Sequence, residues 1–476
     1  MSYDSNEDYN TGFREEENNN NNTNNNTNKP RDSSNVSDNI VFKNDDDDLM
    51  VKEGESSEEQ RVSYFGIFSD TTFSSIINIT SSAIGGGCLH FSSILSTIGL
   101  PLTIIIFLFV SLCIYYTIDL LRYFVVDTKF FSFALMTNEI LGKNWLRVYT
   151  ISSLIFYISV EINYLSTIYN TMSKMIDLNG NYKLLLNIIY FLISISIEIF
   201  ISSYIAKIKR IHLFSLIASL IFIIIFLIII IQGIKNMIDG PGNKFDKDVL
   251  ISPIIHNKSE FFFGLMSFII EFVYGYSYHS SYPTLLKNLR SVDDGTTKKV
   301  HNISFCIIFM SYFLITFFGF FLKYSIADII EKNLEYSFVI LFFRIMLCLF
   351  LFSVVPLRFI VIRDNYSSLI DNNKISFGSD LIYVCEVILF CNLIVYLTNK
   401  SIIDFNIVTN FMQLFGGIFG VIISFVLPVV NFVGANGRRK VKSIIGYIFA
   451  GVFCVIGLLS VGYSIYGLAK KNQFDN

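Results

Sequence analysis

Charged side chains are scarce in this 476-residue chain, at 16% against 52% hydrophobic. Those present crowd into the amino-terminal stretch and the short gaps between apolar runs, so the chain lacks the polar surface that two or three soluble domains would need. The seven cysteines (Cys88, Cys113, Cys306, Cys348, Cys385, Cys391 and Cys454) lie in apolar stretches, none in a loop. Neither a disulfide framework nor a metal site is expected from them. The amino terminus is polar and acidic, without a basic patch before a short apolar core, so no cleavable signal peptide is expected and the first apolar segment serves as the targeting signal. A G-x(4)-G-K-[ST] phosphate loop is missing, as is a soluble catalytic domain, which argues against an ATP-driven pump and against an enzyme. Tryptophan occurs once, at Trp145. The net charge of −3 comes largely from Glu15 to Glu17 and Asp45 to Asp48 and gives no reason to expect a nucleic acid partner.

What the chain has in quantity is apolar length. Residues 1–62 read as a disordered tail rich in Asn, Asp and Glu. From residue 72 to residue 468, about eleven apolar runs recur, each long enough to cross a bilayer as a helix. They fall near 72–97, 101–124, 146–171, 183–205, 211–233, 258–284, 302–324, 337–361, 379–398, 407–433 and 443–468. The expected fold is therefore an all-α membrane protein whose partner along its whole length is the lipid bilayer. Alternate gaps are basic, as with Lys207, Lys209 and Arg210 or Arg438, Arg439 and Lys440, which places those gaps and the amino terminus in the cytosol.

Two of the runs are interrupted. The first contains Ser81-Ser82-Ala83-Ile84-Gly85-Gly86-Gly87, small and flexible where a regular helix is otherwise expected. The sixth contains Tyr274-Gly275-Tyr276-Ser277-Tyr278-His279-Ser280-Ser281-Tyr282-Pro283. Breaks in the first and sixth segments occupy corresponding places in two five-helix halves, where a transporter of the five-plus-five inverted-repeat type (LeuT-type) builds its site. Half-helix amino termini there offer N–H groups to a carboxylate, and half-helix carboxyl termini offer carbonyls to an ammonium group or a cation. Ser81, Ser82, Gly85, Gly86, Gly87, Tyr276, Ser277 and Tyr278 are the substrate-binding candidates.

These motifs resemble the amino acid/auxin permease family. Ile84-Gly85-Gly86-Gly87-Cys88-Leu89 with Gly99-Leu100 is similar to its I-G-x-G-x-L…G-L, and Tyr276-Ser277-Tyr278-His279 with Pro283 to its F-S-x-H…P. Pro356 with Arg363-Asp364, and Leu414-Phe415-Gly416 with Gly420 and Pro428, resemble its later signatures, and Phe133 to Gly142 sits where the family has a short acidic loop. The resemblance implies an eleven-helix secondary transporter of amino acids working by alternating access, with no cofactor beyond a coupling ion. Sodium-using members carry an Asn where this chain has Ser81 and a hydroxyl residue near Ser353, and a missing carboxamide weakens a site that needs several hard ligands. The family's Pro in helix one is Ser92 here, and its acidic residue after helix six is Asn288. Proton coupling is thus favoured over sodium coupling, for which Ser81 and Ser353 remain the candidate ligands, or over facilitative transport.

Ionisable residues inside apolar helices are costly and often functional. His279, in the sixth-segment break, and Glu161, midway along the third, are the proton-coupling candidates; Glu198, Glu271, Arg344 and Glu386 rank below them. A nutrient sensor built on a transporter fold is the reading from a different class. The expected membrane is the cell surface or an acidic vacuole or lysosome.

Overall fold

The computed structural model describes residues 71–85, 91–92, 98–175, 211–238, 258–322 without 288 and 290, 338–369, 389–397, 415, 417–435 and 440–474. The tail at 1–62, the apolar run at 183–205, Gly86 and Gly87 lie outside the described residues, as do Glu198 and Glu386. All described regular elements are helical. The first apolar segment gives α1 (Thr71–Ala83), the second α2 (Leu100–Thr128), the third α4 (Lys143–Met175) and the fifth α5 (Ile211–Ile238). The sixth divides into α6 (Lys258–Tyr276) and α7 (Tyr282–Leu286). The seventh, eighth and eleventh give α8 (Asp294–Phe320), α9 (Phe338–Leu369) and α11 (Lys440–Phe474), and the tenth gives α10 (Gly417–Ala435).

Seven of these helices (α2, α4, α5, α8, α9, α10 and α11) are long and apolar enough to cross a membrane. Of the other four expected runs, the first and sixth fall on the interrupted helices. The fourth lies outside the described residues and the ninth mostly so.

The stretch expected as a loop at Phe133 to Gly142 is instead helix α3 (Phe133–Leu141). Its ends explain this. The Ser132 hydroxyl accepts from the Leu135 N–H, and the chain leaves the helix through Gly142 at φ +83°, a conformation that glycine adopts without steric penalty.

Helix α9 packs on α4 and α5, α8 on α1 and α5, and α6 on α11 and α2. Leu220, Ile223, Leu227 and Ile231 of α5 and Ile444, Ile448, Val455 and Leu458 of α11 point outward. A continuous aliphatic exterior suits lipid rather than water. The interior is aromatic. Phe91 and Phe272 lie 4.5 Å apart between ring centres, Phe107 and Phe272 5.7 Å, and Tyr276 and Tyr312 4.6 Å. Helix α10 contains a π-turn at Ile422–Val426, a departure that often accompanies functional positions.

Candidate functional site

Helix α1 stops at Ala83 and α6 stops at Tyr276, and one side chain from a third helix joins the two ends. The hydroxyl of Tyr312, on α8, is shared between the carbonyl oxygens of Ala83 (2.6 Å) and Gly275 (3.0 Å). Carbonyls near a helix end have no intrahelical donor and, away from water, need another; the single Tyr312 O–H stands within reach of one at each break. The α6 break then runs through Ser277 to Ser281 before Pro283, in the first turn of α7, restarts the helix.

Glycine at position 85 is required by close approach. The Tyr164 hydroxyl of α4 occupies the place a Cβ would take, and Nη2 of Arg358, on α9, would lie 3.2 Å from that Cβ. In the same way the Phe91 ring fills the space beside Gly275. An aromatic side chain thus lies against a glycine at each break.

The sequence-derived candidates divide by what they touch. The Ser81 hydroxyl donates to the Ser215 carbonyl at 3.0 Å and lies 2.6 Å from the Ser219 hydroxyl, tying α1 to α5, while the Ser82 hydroxyl donates to the Ile79 carbonyl at 2.9 Å within α1. The Ser353 hydroxyl likewise donates to Leu349 in its own helix. Ser81 and Ser353, the two sodium-site candidates, therefore direct their hydroxyls to different neighbours. In the sixth-segment break, Tyr276 accepts from the Ser111 hydroxyl at 3.1 Å and Ser277 lies 2.8 Å from Ser424, in the π-turn. Tyr278 is buried, its hydroxyl without a hydrogen-bond partner among the described residues.

His279 is fully buried, with Nε2 2.9 Å from the Thr117 hydroxyl of α2. The same hydroxyl lies 3.1 Å from the Ile114 carbonyl of its own helix, so its single hydrogen serves either that carbonyl or the imidazole, according to the His279 tautomer. Nδ1, the other ring nitrogen, has no hydrogen-bond partner among the described residues. Glu161 is also fully buried, on the face of α4 that carries Tyr157 and Tyr164, where helical spacing puts residues four and three positions apart together.

Tyr312, Ser424 and Arg358 are missed from sequence. Tyr312 is one of 26 tyrosines and nothing in its neighbourhood marks it. Arg358 carries a signal, as a cation within the eighth apolar run. Arg344 in the same run donates to the Lys174 carbonyl near the end of α4, where a helix terminus welcomes a positive charge.

Two interrupted helices meeting at a buried polar centre inside an apolar bundle are the arrangement of a LeuT-type multi-pass membrane fold. Residues 69–470 match the family described as transmembrane amino acid transporter protein, and the chain belongs to that family. Among solved structures it is similar to the Eremococcus coleocola manganese transporter in complex with an aromatic bis-isothiourea substituted compound. The TM-score is 0.53 and the identity 11%, over 84% of this chain and 87% of that one. A mutant of the same transporter gives 0.51 at 12% identity, over 84% and 85%. A Na+-coupled sialic acid symporter in a substrate-bound outward-open state gives 0.49 at 12%, over 82% and 89%. Identities this low speak for the fold alone. Comparison with curated protein sequences gives no match.

Proposed function

We propose that this protein is a secondary active transporter of amino acids, coupled to protons and working by alternating access. The observation that carries the reading is the convergence of both helix breaks on the Tyr312 hydroxyl. It brings the end of α1 to the end of α6, and interrupted helices of this kind offer N–H groups to a carboxylate and carbonyls to an ammonium group. Membership of an amino acid transporter family supports the substrate class.

Proton coupling is favoured by two features. His279 holds an imidazole nitrogen without a hydrogen-bond partner among the described residues inside the α6 break, and the Arg358 guanidinium beside Gly85 opposes a sodium ion at the α1 break by like-charge repulsion. Glu161 is the second candidate carrier. Substrate binding displaces Tyr164 and Phe91 from the breaks, and the bundle then rocks to the opposite side. The amino-terminal tail and the end of the bundle bearing Arg122 face the cytosol, since the basic gaps lie on that side.

The test is uptake of a panel of labelled amino acids into proteoliposomes, with proton and sodium gradients imposed independently. Saturable uptake driven by the proton gradient alone is expected; uptake that follows only the sodium gradient would refute the coupling, and no uptake from folded protein would refute the substrate class.

A further inference from the structure

Resting on the amino acid transport reading, we propose that Arg358 is a substrate-binding residue whose guanidinium holds the substrate's carboxylate where α1 breaks.

Arg358 is 8% exposed, inside a bundle whose exterior is aliphatic. Its guanidinium lies over the rings of Tyr157 (5.7 Å) and Tyr164 (5.9 Å), and Nη2 is 3.4 Å from the Tyr164 hydroxyl. Tyr312 and Tyr274 also stand within electrostatic reach. These are neutral groups. The described ion pairs join Arg122 to Asp119 and Asp294, and Lys442 to Asp119; among the described residues none includes Arg358. A guanidinium cannot shed its proton, so its charge stays in a medium where an uncompensated ion is strongly disfavoured.

The edge of the group left available is specific. Nε has no hydrogen-bond partner among the described residues, and Nη2 makes a long contact to Tyr164, with Tyr157 also within hydrogen-bonding reach of the guanidinium. Nε and Nη2 form the side of the guanidinium that grips a carboxylate with two parallel hydrogen bonds, a match a point-charge ammonium does not reproduce. This edge adjoins Gly85, where the Tyr164 hydroxyl already fills the space of an absent Cβ. The Tyr164 hydroxyl is thus a neutral stand-in for one carboxylate oxygen, exchanged for it when substrate arrives. Glu161 sits on the same α4 face and, like Arg358, acts electrostatically on Tyr274.

The experiment has a wild-type arm and a variant arm. Purified wild-type protein is heated with free amino acids, with their methyl esters, with the corresponding decarboxylated amines, and with simple monocarboxylates. Protection by the free acids, and none by esters or amines, is expected. Equal protection by esters overturns the assignment whether or not any variant folds. In proteoliposomes, Arg358→Lys is expected to raise KM about tenfold and Arg358→Gln about a hundredfold, with smaller changes in kcat, because a charge-assisted pair is lost from binding. An unchanged KM in folded Arg358→Gln overturns it equally. The two readings fail separately. Wild type that is protected by monocarboxylates but carries no amino acid keeps Arg358 as a carboxylate site and discards the substrate class, whereas amino acid transport indifferent to Arg358→Gln keeps the class and discards the site.

Discussion

The Tyr312 hydroxyl stands 2.6 Å from the carbonyl oxygen of Ala83, a residue 229 positions earlier in the chain. Its second contact, to the Gly275 carbonyl at 3.0 Å, puts its one hydrogen within reach of both interrupted helices. Tyr312→Phe keeps the ring packed on Tyr276 but removes that donor. The expected loss is about 1–3 kcal/mol of stability for buried carbonyls left without a partner. It should be read as a lowered midpoint of thermal unfolding together with reduced uptake; an unchanged midpoint would mean that the breaks are held by other contacts.

Gly85 and Tyr164 are predicted to be coupled. Gly85→Ala puts a methyl where the Tyr164 hydroxyl lies and is expected to reduce transport at least tenfold, in line with the overpacking of a close contact. Removing the hydroxyl as well, in Gly85→Ala with Tyr164→Phe, should recover part of the lost stability. Melting curves of the two single variants and the double variant give the coupling, and strict additivity would show that the two residues do not meet.

His279→Gln tests the proton-coupling proposal. A carboxamide still hydrogen-bonds the Thr117 hydroxyl in either direction but does not titrate near neutrality. Uptake against a substrate gradient should be lost, while exchange of labelled for unlabelled substrate, which needs no net proton movement, persists. Uptake that still follows the proton gradient would move the role to Glu161.

Asp293 gives a prediction outside the membrane. Its carboxylate caps α8, accepting from the Thr296 N–H at 2.9 Å and from the Ser291 hydroxyl at 2.7 Å. These bonds hold its carboxyl well below the usual carboxylate range, the Thr296 amide first. A depressed folded-state value means the cap contributes fully above the unfolded value of about 3.9 and is lost as pH falls through the folded value. The difference in thermal midpoint between wild type and Asp293→Ala should therefore be constant from neutral pH down to about 5 and shrink below about 4. A difference that grows on acidification would contradict the capping role.

The breaks are legible in the sequence because glycine and proline disfavour regular helix wherever they fall inside an apolar run, and α1 and α6 end within those stretches. What the breaks touch is not legible. Tyr312 reaches Ala83 and Gly275 only because the fold brings α8 across both ends, and a sequence rich in tyrosine conceals such a residue. The two arginines of the eighth run show the limit differently. Arg344 and Arg358 are separated by 14 residues, nearly four helical turns, so both project from neighbouring faces and periodicity does not distinguish them. Depth does: they stand about 21 Å apart along the helix axis, one near the end of α4 and the other at the α1 break. Ser132 and Gly142 are readable as helix ends, but the short helix between them is hidden by its brevity and by the two longer helices it joins.

Helix α10 runs past the α6 break with a π-turn at Ile422–Val426, and the Ser424 hydroxyl in that turn meets Ser277 at 2.8 Å. A π-turn holds one residue more than an α-turn, so α10 carries a residue of slack at the point where it is fastened. Taking up that slack would turn Ser424 by about 100° around the helix axis and free Ser277, with the helix still in place. The fastening between α10 and the break thus sits at the one described turn whose spare residue would let it undo by twisting.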